Sequence, residues 1–178
     1  MAHRSWSVAV PIAIGSFWLM SQPAGQHPLL ASQPPETVRS LEASVAAHPD
    51  DPEPTRSLGQ AYLDARQPGL AIVLVEGAPQ NVGDNVRVEH VYARALIDEG
   101  RNNDALRAET HVVETCGVLA DGRVAPPGCD AVLLVSAMRR ADILRELLSR
   151  GIQDAQAQPE AALVAYRHVT REARVASE

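Results

Sequence analysis

The chain has 178 residues, one domain's worth, and is 46% apolar but only 3% aromatic, so its core must be Ala, Leu and Val rather than rings. All 16 basic residues are Arg, and the absence of Lys excludes Schiff-base chemistry and a P-loop lysine. A net charge of −6 argues against non-specific nucleic-acid binding, and abundant helix formers with few β-branched alternations indicate an all-α fold.

Residues 1–24 differ from everything after them. A short basic start, Met1 to Arg4, precedes an apolar run from Val8 to Met20 that is broken by Pro11 and Gly15. Small and polar residues, Ser21 to Ala24, follow. This is the pattern of an export signal peptide, and the run is short for a bilayer span of about 20 residues. Ala24 suits the residue before a cleavage, whereas Gln22 is not the small residue expected two positions earlier. A cleaved leader and an inner-membrane anchor therefore both stand, and membrane contact is expected through this segment alone. Residues 25–36 carry three Pro without helical period and read as an extended linker.

The helical domain is expected over 37–178. Its first helix should begin near Pro35 to Thr37 and end at His48-Pro49. Asp50, Asp51 and Glu53 fit the start of the next helix, where acids favour the positive dipole end, better than an EF-hand loop, which needs a central Gly and a distal Glu. A first helical pair spans Pro52 to Asn81, turning at Arg66 to Gly69 with Pro68 opening the second helix. A second pair spans Val86 to Cys116, turning at Gly100 to Asp104, with Asn103 or Asp104 as the cap.

Within the first pair, Leu58-Gly59 stands one turn before Tyr62, Ala71 follows nine residues later, and Val75 four beyond that. This pattern resembles the tetratricopeptide (TPR) helix-turn-helix repeat, with Thr55, Val75 and Gly83 in place of the family's Trp, Phe and Pro. Advancing by the family's repeat of about 34 residues carries Leu58, Gly59, Tyr62 and Ala71 onto Tyr92, Ala93, Leu96 and Ala105, all apolar or small, as an interhelix seam requires. The same step carries Val75 onto Glu109, which does not suit a buried position. Another helical-hairpin array fits the spacing as well. The resemblance implies two to three nested hairpins and a concave face lined by the first helix of each pair. By that resemblance, Arg56, Gln60 and Asp64 line a peptide groove from one unit, and Arg87, His90 and Arg94 from the next. Glu53, Glu89 and Asp98 are the carboxylates that would otherwise hold these arginines at a solvated surface.

The repeat is interrupted at 116–129. Asp121-Gly122 between short apolar arms is a hairpin signal, and Pro126-Pro127 stops it. Two Cys only, Cys116 and Cys129, stand at the feet of this loop and read as a disulfide in an exported chain. Free thiols and a metal pair are the alternatives. Asp130 should cap a helix running to Arg150 on a stripe of Leu134, Ala137 or Met138, Ala141, Leu144 and Leu148. A last helix begins at Pro159, where Ala162 and Tyr166 resemble the family's small and aromatic positions.

Neither GxGxxG, HExxH nor GxSxG is present. No catalytic, metal or cofactor residue is expected, and the six His do not fall at ligand spacing. Cys116 with His111 offers a remote nucleophile–base pair, set five residues apart on poorly matched faces. The sequence thus points to a non-catalytic scaffold in the periplasm or outside the cell that binds a protein or peptide. The competing role is structural, an oligomerisation subunit that uses the 116–129 loop as its contact.

Overall fold

A computed structural model of the chain describes residues 36–119 and 124–175. Among them stand eight α-helices and no strand: α1 (Glu36–Ala47), α2 (Pro52–Asp64), α3 (Pro68–Glu76), α4 (Gln80–Gly83), α5 (Val86–Asp98), α6 (Asn102–Cys116), α7 (Ala131–Ser149) and α8 (Pro159–Val175). The expected leader and linker lie outside the described residues, apart from Glu36. No described helix is long and apolar enough to cross a membrane.

Local sequence accounts for the helix starts. Asp51 accepts from the Glu53 amide at 2.9 Å, Asn85 from the Arg87 amide at 3.0 Å, and Asp130 from the Leu133 amide at 2.8 Å. Each side chain thereby satisfies an amide that the first turn leaves without a partner. The α6 cap differs from expectation. Its helix begins at Asn102 after Arg101, without a side-chain cap, because the preceding turn feeds straight into it. Asp104 instead accepts from Arg101 Nε at 2.8 Å and Arg107 Nη2 at 2.6 Å.

The α2–α3, α5–α6 and α7–α8 connections begin with one and the same turn. Gln67 N donates to Tyr62 O at 2.8 Å, Arg101 N to Leu96 O at 2.8 Å, and Ile152 N to Leu147 O at 3.0 Å. The residue before each donor is left-handed: Arg66 (φ 57°), Gly100 (φ 72°) and Gly151 (φ 75°). These are Schellman closures, which return the last carbonyls of a helix to a backbone donor. Gly100 is required twice over, since a methyl there would lie 2.9 Å from Asp154 Cγ.

The hairpins nest where the seam residues are small. Leu58, Gly59, Ala71, Ala93, Leu96 and Ala105 are all buried, and a methyl at Gly59 would stand 3.0 Å from Val91 Cγ1. Tyr62 and Tyr92 are half-buried and reach outward, donating to Glu42 Oε1 at 2.8 Å and Glu76 Oε1 at 2.9 Å. Burial, then the Glu42 bond, pushes the Tyr62 hydroxyl pKa up to about 12. One apolar cluster joins Leu63, Ala71, Leu96, Ala105, Leu144 and Ala165 across α2 to α8, and a second joins Val112 and Cys116 to Leu134 and Ala137.

Three details depart from the expected register. Pro79 starts the extra single turn α4 after α3 has ended at Glu76. On α7 the buried stripe takes Ala137, one of the two residues expected there, and ends on Leu147 instead of Leu148, leaving Met138 47% exposed and Leu148 partly so, because that face packs into the two apolar clusters. On α8 the buried small residue is Ala165, and Tyr166 is exposed.

Cys116 and Cys129 form a disulfide, with Cα atoms 5.4 Å apart. Residues Gly117–Leu119 continue α6 as a 3-10 turn instead of an extended arm, and the Asp121-Gly122 turn lies outside the described residues. A structural disulfide is compatible with an oxidising, exported location.

Candidate functional site: the cleft of α2, α5 and α7

The first helices of the three pairs border one cleft of about 440 Å³, lined by Arg56 and Gln60 of α2, Arg87, His90 and Val91 of α5, and Asp130, Val132, Leu133 and Ser136 at the start of α7. Four of the six residues expected to line a groove therefore share a wall. Arg94 lies elsewhere, in a polar depression with Asp64, Arg66, Asp98 and Gln156. Asp64 goes with it, while accepting from Gln60 Nε2 at 2.7 Å.

The arginines of the cleft are held in place. Arg56 Nε donates to Glu53 Oε2 at 3.0 Å, a bond that lowers the Glu53 pKa and raises that of Arg56. Arg87 does not pair with Glu89. It donates from Nε to Gly128 O at 2.9 Å and from Nη2 to Asp130 Oδ2 at 2.7 Å, reaching across to the disulfide loop and the α7 cap. Glu89 instead meets His111, with Oε2 2.5 Å from Nδ1.

The cleft floor holds a polar relay across three helices. Glu109 of α6 is wholly buried. Its Oε1 accepts from Arg140 Nη1 at 2.6 Å, and its Oε2 lies 2.8 Å from His90 Nδ1. Arg140 Nη1 also donates to the His90 carbonyl at 3.2 Å. On the far side of the imidazole, Nε2 stands 3.2 Å from Ser136 Oγ. Arg140 Nη1 also stands 3.4 Å from Nδ1, but the shorter contact is with Glu109, and a carboxylate only accepts, so the imidazole proton lies on Nδ1 and the Nε2 lone pair turns toward Ser136.

Sequence reasoning found His90 and missed the rest of this relay. Glu109 was the misfit of the repeat register, yet its position is buried. The signal was present, since a carboxylate at a seam position demands a charged partner. Ser136 and Arg140 lie 46 and 50 residues from His90 and gave no local signal. His90 and His111 do not come together, and no group of three or more His, Cys, Asp or Glu capable of holding a metal occurs among the described residues. Cys116 is buried and disulfide-bonded, so it presents no thiol to His111.

Next to the cleft, and sharing Val132 and Ser136 with it, runs a wider trough of about 680 Å³ lined by Ala131, Val135, Arg139, Arg140 and Ile143. Val132 and Val135 are 81% and 65% exposed. No protein-family model, curated protein or solved structure matches this chain.

Proposed function

We propose that this is an exported, TPR-like helical scaffold that holds a protein or peptide partner in the cleft of α2, α5 and α7. The observation carrying this reading is the convergence of Arg56, Gln60, Arg87 and His90 on one cleft, beside the exposed Val132 and over the buried apolar side chains of Val91 and Leu133. Guanidinium groups suit acidic or carbonyl-rich segments, and apolar surface beside them supplies non-directional affinity. The disulfide supports the exported half of the reading. The Leu58, Gly59, Tyr62 and Ala71 pattern with its recurrent turn supports the repeat half.

The test is a partner profile of the full chain against the double variant Arg56→Glu, Arg87→Glu, by affinity purification from the envelope and secreted fractions with mass spectrometry. Cleft recognition predicts that the partner recovered with the wild type is lost, by tenfold or more, with the variant. Unchanged recovery moves the contact to the 116–129 loop. That second reading has one observation in its favour: Val124 is 98% exposed beside the loop foot that Arg87 grips.

A further inference from the structure

Beyond binding, the relay at the cleft floor has the form of an acyl-transfer site. Nucleophilic serine catalysis needs a hydroxyl within hydrogen-bond reach of an imidazole nitrogen, and a third group that fixes the imidazole by its other nitrogen. Ser136 Oγ, His90 Nε2, His90 Nδ1 and Glu109 Oε2 meet that description at 3.2 Å and 2.8 Å, with the carboxylate wholly buried. Arg140, at 2.6 Å, gives that carboxylate a charged partner and anchors it to α7, the helix that carries Ser136.

We propose that Ser136, His90 and Glu109 constitute a serine hydrolase site for aliphatic esters. This departs from the expectation that the chain performs no chemistry. Ser136 lies where the two depressions join. An acyl chain seats along Val132, Val135 and Ile143 in the wider trough, and the alcohol portion points toward Arg56 and Arg87 in the cleft. Ser136 Oγ attacks the ester carbonyl carbon as its proton passes to His90 Nε2. The tetrahedral intermediate collapses, the C–O bond to the alcohol breaks, and the leaving oxygen takes the proton from His90. Water then attacks the acyl-serine, giving its proton to His90, which returns it to Ser136 as the carboxylic acid leaves.

Mid-helix amides are consumed by the helix, so charge on the developing oxyanion falls to the arginines lining the cavity. That makes a modest catalyst, because fixed backbone donors are the stronger device. Glu109 is a positioning residue, acting only through His90.

The full oxidised chain is treated with a fluorophosphonate probe and, separately, with p-nitrophenyl butyrate. The expected result is one phosphonyl adduct per chain, on the tryptic peptide containing Ser136, with ester turnover above buffer. Ser136→Ala, which removes one oxygen, abolishes both while leaving the circular-dichroism melt unchanged. Glu109→Gln lowers kcat about 100-fold with KM within twofold, a split that a purely structural role does not produce. An adduct on another residue, labelling that survives in Ser136→Ala, or no labelling at all overturns the proposal. Those results leave the peptide-binding reading standing, because it rests on Arg56 and Arg87.

Discussion

The α2–α3 and α5–α6 hairpins are built on the same turn and the same seam, and they differ most at one buried position. Val75 of the first closes an apolar cluster with Val82 and Val88. Glu109 of the second, one repeat length of about 34 residues on, is buried against Arg140 and His90. An apolar seam holds its neighbours by shape and area, and tolerates small displacements. A buried carboxylate holds its neighbours by demanding named donors, and so fixes α7 against α5 and α6. Both hairpins line the cleft, the first presenting Arg56 and Gln60 from an apolar seam and the second presenting Arg87 and His90 above a buried charge.

Making the second hairpin like the first is the most damaging change. Glu109→Val strands the Arg140 guanidinium and His90 Nδ1, at a cost of about 3 kcal/mol or more. Converting both partners, Glu109→Val with Arg140→Met, returns most of that loss, because no orphaned charge remains. The reverse exchange, Val75→Glu, puts a carboxylate among valines and destabilises by a comparable amount. Urea midpoints decide it: an unperturbed Glu109→Val would mean that the two positions are equivalent after all.

The second hairpin is also stapled forward to α7 by Cys116–Cys129, while no disulfide touches the first. Replacing both cysteines by serine should cost roughly 3 kcal/mol in the chain-entropy account. Amide exchange should quicken around 116 and 130 and remain slow across α2 and α3. A uniform change along the chain would show that the staple acts on the whole unit rather than on this junction.

The turns supply a smaller pair. Arg66 occupies a left-handed position that Gly fills in the other two turns, so Arg66→Gly should gain up to about 1 kcal/mol. Gly100→Ala should lose about 1–2 kcal/mol, because the added carbon meets Asp154 at once. Thermal melts of the two variants should therefore move in opposite directions.

The longer helices, their proline starts, the Asp130 cap and the disulfide were legible because each is written in contiguous residues. Asp130 caps three residues ahead, whereas Asp51, read only as an acid at a helix start, caps two ahead, and the α6 cap expected at Asn103 or Asp104 is absent. The Gly59 and Ala71 seam was legible because a periodic pattern repeats it. The α7 stripe stayed open between Ala137 and Met138, since both satisfy helical spacing and only packing selects the smaller, and its end was read at Leu148 where Leu147 is the buried residue. The cleft was half legible: register put Arg56, Gln60, Arg87 and His90 on first helices, but it could not separate Arg94, whose lower position on α5 turns it toward Asp64 and Asp98. Glu109 shows the limit most clearly. Polarity argued against burial, and the arginine that makes burial tolerable comes from a helix 31 residues away.

The weakest expected effect belongs to a pair that the first hairpin lacks, where Thr55 and Gly77 hold the corresponding positions. The hydrogen bond to Glu89 raises the His111 pKa above the ordinary histidine value of 6.5, against the opposing effect of burial. Glu89 is also raised, from 4.5, because its burial outweighs the pull of His111. Both groups thus bind a proton more tightly in the folded chain than in the unfolded one. The stability this gives is fully present below each unfolded value and is lost as pH rises through the folded one. For His111 the loss falls above pH 6.5, and for Glu89 above pH 4.5. Its size is small because the His111 side chain is half exposed and water screens the pair. Urea midpoints should decline gently from pH 6 to pH 8, and His111→Gln should flatten that decline. A slope unchanged by the substitution would assign the pH sensitivity to another group, and the two hairpins would then differ only in how they seat their buried side chains.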